Sequence, residues 1–253
     1  MTEYTQPSRW VQLGGFTLLR TTGDELQLRL RQLLDNRNQH ALFFANTNFI
    51  VQCQTLREAM CNSNTIIVND GIGVDIAAWL VHRDKFPENL NGTDFIPAYL
   101  HSVRDRARVF LFGGKPDVAV RAAQILNREF GVNVVGTCNG YDEAKSASQV
   151  VAAINAAQAN IVLVAMGNPA QEQWIVKHRA ELDAPILIGV GALLDFLAGD
   201  KPRAPRIVQQ LRLEWFYRLC LEPARLLRRY TLDIAVFLAL CLRRKGDAQT
   251  IPE

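Results

Sequence analysis

Short runs of apolar and β-branched residues alternate along the chain with longer stretches in which apolar positions recur every three to four residues. The runs His40–Ala45, Thr65–Asn69, Arg108–Gly113, Val132–Gly136, Asn160–Met166 and Pro185–Val190 predict strands. They are close to continuously apolar rather than alternating, as strands buried on both faces must be. The stretches Gln54–Cys61, Val74–Val81, Asp94–Arg106, Pro116–Phe130, Lys145–Ala157 and Ala170–Leu182 carry the helical period, and most begin near Gly, Pro, Asn or Asp. Such an alternation implies right-handed β-α-β crossovers. The expected fold class is therefore α/β, a doubly wound, mostly parallel, Rossmann-like sheet. Trp10–Leu19, centred on Gly14-Gly15, predicts a small hairpin ahead of a first helix at Asp24–Leu34.

From about Lys201 the strands stop and Pro202, Pro205 and Pro223 punctuate an Arg-rich helical stretch. This divides the chain into an α/β domain, 1–200, and a helical appendage, 201–253. Charge follows the same division. The net charge is +3, but Lys201–Lys245 holds 11 basic and 3 acidic residues, a basic appendage on an acidic body. Within it Leu232–Leu242 is an apolar run of about half the ~20 residues that a spanning helix needs. Arginines at 225, 228 and 229 precede it and Arg243, Arg244 and Lys245 follow, which suits a helix lying on an anionic membrane surface. The same pattern suits a terminal helix packed on its own domain or on a second subunit of a homo-oligomer. The tail's interleaved Leu, Trp and Phe fit no nucleic-acid-binding module, and no nucleic acid is expected as a partner.

The cysteines Cys53, Cys61, Cys138, Cys220 and Cys241 are odd in number and contain no C-x-x-C pair, which fits neither a disulfide framework nor a zinc site. A cytoplasmic setting is expected, since Met1–Trp10 lacks the apolar core of a secretion signal. There is no D-x-D and no H-E-x-x-H, and His40, His82, His101 and His178 are scattered. No metal or other cofactor is therefore expected. Absence of G-x-S-x-G and of G-x-x-x-x-G-K-[ST] counts against hydrolase and P-loop chemistry.

Sheets of this type bind ligands outside the carboxyl ends of their strands. Asp70-Gly71-Ile72-Gly73 places a carboxylate there, either as a helix cap or as a general base beside a backbone that a ligand can approach closely. Gly113-Gly114-Lys115-Pro116 either offers amides to a diphosphate or is a glycine turn with Pro at the first helical position. In Gly167-Asn168-Pro169-Ala170-Gln171-Glu172, Asn168 and Gln171 are neutral hydrogen-bonding groups suited to a base or sugar, unless they only cap a turn.

These phrases occur together with Asn91-Gly92-Thr93-Asp94, Gly136-Thr137 with Gly140-Tyr141, and Gly189-Val190-Gly191. Asp195, Ala198-Gly199, Arg203-Ala204-Pro205, Leu213-Glu214-Trp215, Tyr217-Arg218-Leu219 and Glu222-Pro223 with Arg225 follow in order. In register over roughly residues 10 to 230, they resemble the bacterial WecG/TagA/CpsF glycosyltransferases. The resemblance implies an inverting transferase that moves a sugar from a UDP-sugar to a polyprenyl-diphosphate-linked sugar, peripheral on the inner face of the cytoplasmic membrane, in surface polysaccharide assembly. Members transfer N-acetylmannosamine, its uronic acid or glucose. It further implies that Asp70 is the base, that Gln171 lines the pocket and that the tail arginines Arg225 and Arg229 complete the site. Asn46, Gly71, Gly73, Asn91, Asp94, Gly113, Gly114, Lys115, Gly140, Tyr141, Gly167, Asn168, Glu172, Gly191, Asp195 and Arg218 are the further residues expected to contact substrate. Asn89 stands where the family usually has Arg, and Ala170 where a Lys is common. The alternative is a non-catalytic nucleotide-sugar-binding or scaffold protein of the assembly complex.

Overall fold

Period-two burial is hidden inside the apolar runs, and it decides the layers. In the interior strand β3 (His40–Ala45), Phe43 packs to one side while Leu42 and Phe44 pack to the other; in β7 (Ile161–Ala165), Val162 and Val164 oppose Ile161 and Leu163. Each strand is thus apolar on both faces because helices cover both. The structure, a computed structural model, describes residues 9–140, 146–205, 207–208 and 214–243; the side chains of 218, 224–230 and 232 lie outside the described set.

With β4 (Thr65–Asn69), β5 (Val109–Gly113), β6 (Val134–Cys138) and β8 (Ile186–Gly189), the sheet has the order β4-β3-β8-β7-β5-β6. Every neighbouring pair is parallel. One face carries α1 (Gly23–Asp35), α5 (Gly92–Ser102), α6 (Val118–Phe130) and α9 (Leu193–Leu197). The other carries α2 (Thr47–Gln52), α4 (Ile72–His82), α7 (Ala147–Ala156) and α8 (Ala170–His178), with the short α3 (Arg57–Met60) at its edge. The hairpin of β1 (Trp10–Leu13) and β2 (Phe16–Leu19) forms where expected and packs into this second layer. After β5 the chain crosses on the first face, through α6, and after β7 on the second, through α8. Their carboxyl ends therefore flank a crevice.

Several boundaries differ from the sequence expectation for local reasons. Asn46 caps α2 by accepting from the Phe49 N–H at 3.0 Å, so a short helix forms between β3 and Gln54 where the sequence pattern predicts no element. The helix after β5 begins at Val118, behind a left-handed Asp117, so Pro116 is not its first residue. Strand β6 starts two residues late, because Gly131 ends α6 in a left-handed turn and Val132 N–H bonds back to the Leu126 carbonyl.

The tail forms α10 (Glu214–Leu221) and α11 (Pro223–Arg243). Of its apolar run, Phe237 and Cys241 are buried in the second-layer core with Phe49 and Ile50, whereas Val236 and Leu242 are exposed. Hence one side of this helix packs on its own domain and the other faces outward. Among the described residues no helix is long and apolar enough to cross a membrane.

Candidate active site

Strand β4 delivers Asp70 to the carboxyl edge of the sheet, where its N–H extends the ladder by bonding the Ala45 carbonyl at 2.9 Å. Gly71 follows with φ +91°, a conformation open to glycine and costly for other residues, and a Cβ there would meet nothing within 4 Å. The turn thereby leaves free space beside the Asp70 carboxylate. Gly73 answers a different need, since a Cβ would lie 2.6 Å from Thr47 Cγ2, where the first turns of α2 and α4 abut.

The backbone of this turn is held from behind. Gly71 N–H donates to Asn89 Oδ1 at 2.7 Å, a role that an arginine, with no acceptor, cannot fill. Asn69, fully buried, donates to Asp75 Oδ1 and to the Glu88 carbonyl, both at 2.9 Å, and fixes the 88–91 loop against the strand end.

Across the crevice, the motif after β7 is organised around a carboxyl group that does not reach the cleft. Glu172 was expected among the substrate contacts, but it is 1% exposed and its Oε1 accepts from Asn168 Nδ2 at 2.6 Å and Gln171 Nε2 at 2.7 Å. Burial raises its pKa, against the opposing effect of those two bonds, so the acid is held toward its neutral form. Burial, reinforced by the neighbouring Glu172, likewise pushes the Cys53 thiol up. Gln171 Oε1 in turn accepts from Gly191 N–H at 2.9 Å, tying the loop after β7 to that after β8. Glu172 thus positions Asn168 and Gln171, which do line the cleft, along with Gly167 and Gly191.

Gly113 also lies behind the wall, because a Cβ would strike the Ala165 carbonyl oxygen at 2.3 Å. Its absence of side chain lets the loops close up: Gly114 N–H bonds Ala165 O at 2.9 Å, Gly140 N–H bonds Gly114 O at 3.0 Å, and Gly114, Lys115 and Gly140 line the cleft.

Several other expected substrate contacts line the cleft but bind protein groups there. Asn46 Oδ1 is spent on its cap. Asn91 caps α5 through Thr93 N–H at 2.8 Å and donates from Nδ2 to Glu214 of the tail at 3.0 Å. Asp94 pairs with Arg203, and Asp195 with Lys201 at 2.9 Å. Tyr141 lies outside the described residues, as do the side chains of Arg218, Arg225 and Arg229, whose backbones belong to α10 and α11.

Together these elements enclose a cleft of about 1480 Å³. Single small-molecule pockets run from roughly 300 to 1,000 Å³, so there is room for two substrates. The floor, with Asp70, Asn48, Asn168 and Gln171, is polar. Sequence reasoning missed the remaining wall, formed by Ile72, Ile76 and Leu80 of α4 with Trp215, Leu221, Ile234, Phe237 and Leu238 of the tail. Its signal was present as a helix, α4, that is apolar on two sides, with Asp75 the one acidic residue within it. Among the described lining residues carboxylates outnumber lysines by seven to two, so phosphates bound here need cations from outside this set. Among the described residues no three His, Cys, Asp or Glu side chains come together in a way that would hold a metal ion. A family model, the glycosyl transferase WecG/TagA/CpsF family, matches residues 11–250.

Proposed function

The chain belongs to the WecG/TagA/CpsF glycosyltransferase family, and on that premise we propose that it transfers N-acetylmannosamine, its uronic acid or glucose from a UDP-sugar to a polyprenyl-diphosphate-linked sugar, with inversion and without a metal. The observation that carries this reading is the placement of Asp70. It is a strand-end carboxylate facing a cleft for two substrates, beside a glycine that keeps the adjoining space open. The acceptor hydroxyl oxygen attacks the anomeric carbon from the face opposite UDP as Asp70 takes the hydroxyl proton. The bond from that carbon to the phosphate oxygen breaks, and its electron pair leaves with UDP. A general base of this kind contributes ~10²–10⁴-fold.

Charge on the leaving diphosphate is met by amides near Gly114 and at the start of α8, by Lys115, and by guanidinium groups of Arg225 and Arg229. The excess of carboxylates among the described lining residues supports a role for these tail cations. Metal independence rests on the sequence, which lacks D-x-D and clustered histidines. The basic tail supports a position on the inner face of the cytoplasmic membrane, where the proposed lipid-linked acceptor resides.

The test is transfer from a panel of radiolabelled UDP-sugars to prenyl-diphosphate-linked sugars, with EDTA present, by the wild type and Asp70→Asn. Loss of at least about 10²-fold in the variant is expected. Equal transfer by both removes the base role from Asp70. UDP binding without transfer by either identifies a binding protein.

A further inference from the structure

Helix α4 is apolar on both sides, although only one side meets the core. Val74, Ala77, Ala78 and Val81 are buried, whereas Ile72, Ile76, Trp79 and Leu80 are 36–48% exposed. At 100° per residue the exposed four fall on one stripe. A stripe of this kind needs a cover.

Its position selects the cover. The stripe begins at Ile72, two residues after Asp70, and Ile72, Ile76 and Leu80 line the same cleft as that carboxylate. Leu221, Ile234 and Leu238 of the tail line it as well. From Ile72 to Leu80 the apolar wall follows about 12 Å of helix axis. One continuous cavity is therefore polar at the carboxyl edge of the sheet and carries an apolar wall along α4 and along Leu221, Ile234 and Leu238 of the tail, where Glu222 and Asp233 are its polar neighbours. Its complement is an amphiphile with a polar head and a long hydrocarbon chain. A UDP-sugar has no such chain, and a second protein or a flat bilayer surface would cover the outside of the stripe without following it into the cleft.

We infer that the groove between α4 and the tail helices is the subsite for the first isoprene units of the lipid-linked acceptor, leading its sugar hydroxyl to Asp70. This rests on the acceptor class proposed above. Trp79, at the outer end with the Arg83 guanidinium 4.9 Å from its ring, marks where the chain leaves the protein. Trp at an apolar–aqueous boundary and a cation beside it suit the bilayer interface there.

The test compares two acceptors with one sugar-diphosphate head, carried on a farnesyl or a dimethylallyl chain, in the wild type and in Ile76→Ser/Leu80→Ser. Both side chains are about half exposed, so the substitutions spare the core, and thermal unfolding verifies this. The wild type is expected to prefer the farnesyl acceptor in kcat/KM, and the variant to lose about tenfold or more of that preference. In parallel, quenching of tryptophan fluorescence by farnesyl diphosphate and dimethylallyl diphosphate reads the same chain-length preference without any transfer. If the wild type transfers to neither acceptor, the proposed activity falls, while a binding preference lost in the variant still upholds the subsite. A preference unchanged by the substitutions overturns it. With that preference intact, loss of self-association in sedimentation assigns the stripe to a second copy, and loss of flotation with anionic vesicles assigns it to the bilayer.

Discussion

Removing the ring of Phe237 tests whether the tail is part of the catalytic body. This side chain lies on α11, is 1% exposed and belongs to the core cluster that holds Phe16, Phe49 and Ile50. Close packing continues along the helix, since a Cβ on Gly14 would lie 3.8 Å from Leu240 Cβ and 3.9 Å from Cys241 Sγ. Phe237→Ala removes roughly 150 Å² of apolar contact at about 25 cal/mol/Å², or about 4 kcal/mol, within the 3–5 kcal/mol typical of buried Phe→Ala changes. A tail anchored through few core residues cannot absorb such a loss, so α11 is expected to detach while the parallel sheet stays folded. Trypsin cleavage after the tail arginines then tracks the open population and rises by about 10²–10³-fold, with near-native strand content in far-UV circular dichroism. Val236→Ala is the internal control, because its side chain is 47% exposed and the change should stay within about 0.5 kcal/mol. Tail cleavage within about twofold of wild type in Phe237→Ala would refute the packing argument, as would equal sensitivity of both variants.

Three further outcomes follow from the site. Glu172→Gln keeps an acceptor for Asn168 and Gln171 but cannot ionise. Burial holds the native acid's pKa above its ordinary 4.5, so its neutral-form contribution is complete below that value and is lost as pH rises through the native pKa. The Tm of the variant minus that of the wild type should therefore increase from acid toward alkaline pH, and a difference independent of pH would contradict a neutral Glu172. Asn89→Ala removes the acceptor of the Gly71 N–H; a net loss of about 1 kcal/mol predicts a kcat about fivefold lower with donor KM little changed, and an unaltered kcat sinks the positioning role. Gly73→Ala brings a Cβ against the stiff β-branched Thr47 and should cost about 1–3 kcal/mol, a Tm drop of several degrees; adding Thr47→Ser, which deletes the colliding methyl, should recover much of it.

The sheet was legible in the sequence because burial on both faces leaves an unmistakable continuous run, and strand ends followed by glycine marked the ligand side. Asp70, Gly71, Gly114 and Gln171, which line the cleft, stand at such strand ends. Function could not be separated from architecture by residue type. Glu172, polar and next to Gln171, reads as a cleft residue, but the helix turns it inward, where Asn168, Gln171 and the Cys53 thiol surround it. Gly113 reads as a phosphate loop and is instead a point of strand contact. The short helix at Thr47–Gln52 escaped notice because two turns give too little periodicity, although Asn46 carried the cap signal. Partners of Asn91, Asp94 and Asp195 come from the tail, and local pattern holds no record of which distant segment will lie opposite.

Those three contacts bear on why a transferase of this family would combine a complete parallel sheet with a basic tail. Asn91 to Glu214, Asp94 to Arg203 and Asp195 to Lys201 join the carboxyl edge of the sheet to the segment that begins the tail. These side chains are all at least partly exposed, so each bond contributes little, roughly 1 kcal/mol. Phe237 and Cys241, by contrast, are buried at the far end of the tail. The strong attachment is thus at one end and the weak clasps are at the cleft. On the acceptor proposed above, a tail held in this way is expected to lift its α10 segment to admit the lipid-linked substrate while its anchor stays packed. Salt should discriminate between the two attachments: raised ionic strength weakens the two ion pairs that hold the chain ahead of α10, Asp94–Arg203 and Asp195–Lys201, leaving α10 its Asn91–Glu214 bond at the cleft, and leaves the apolar anchor intact. Exchange of amide hydrogens is expected to quicken in Glu214–Leu221 and to stay unchanged around Phe237; uniform behaviour along the tail would mean that it moves as one piece.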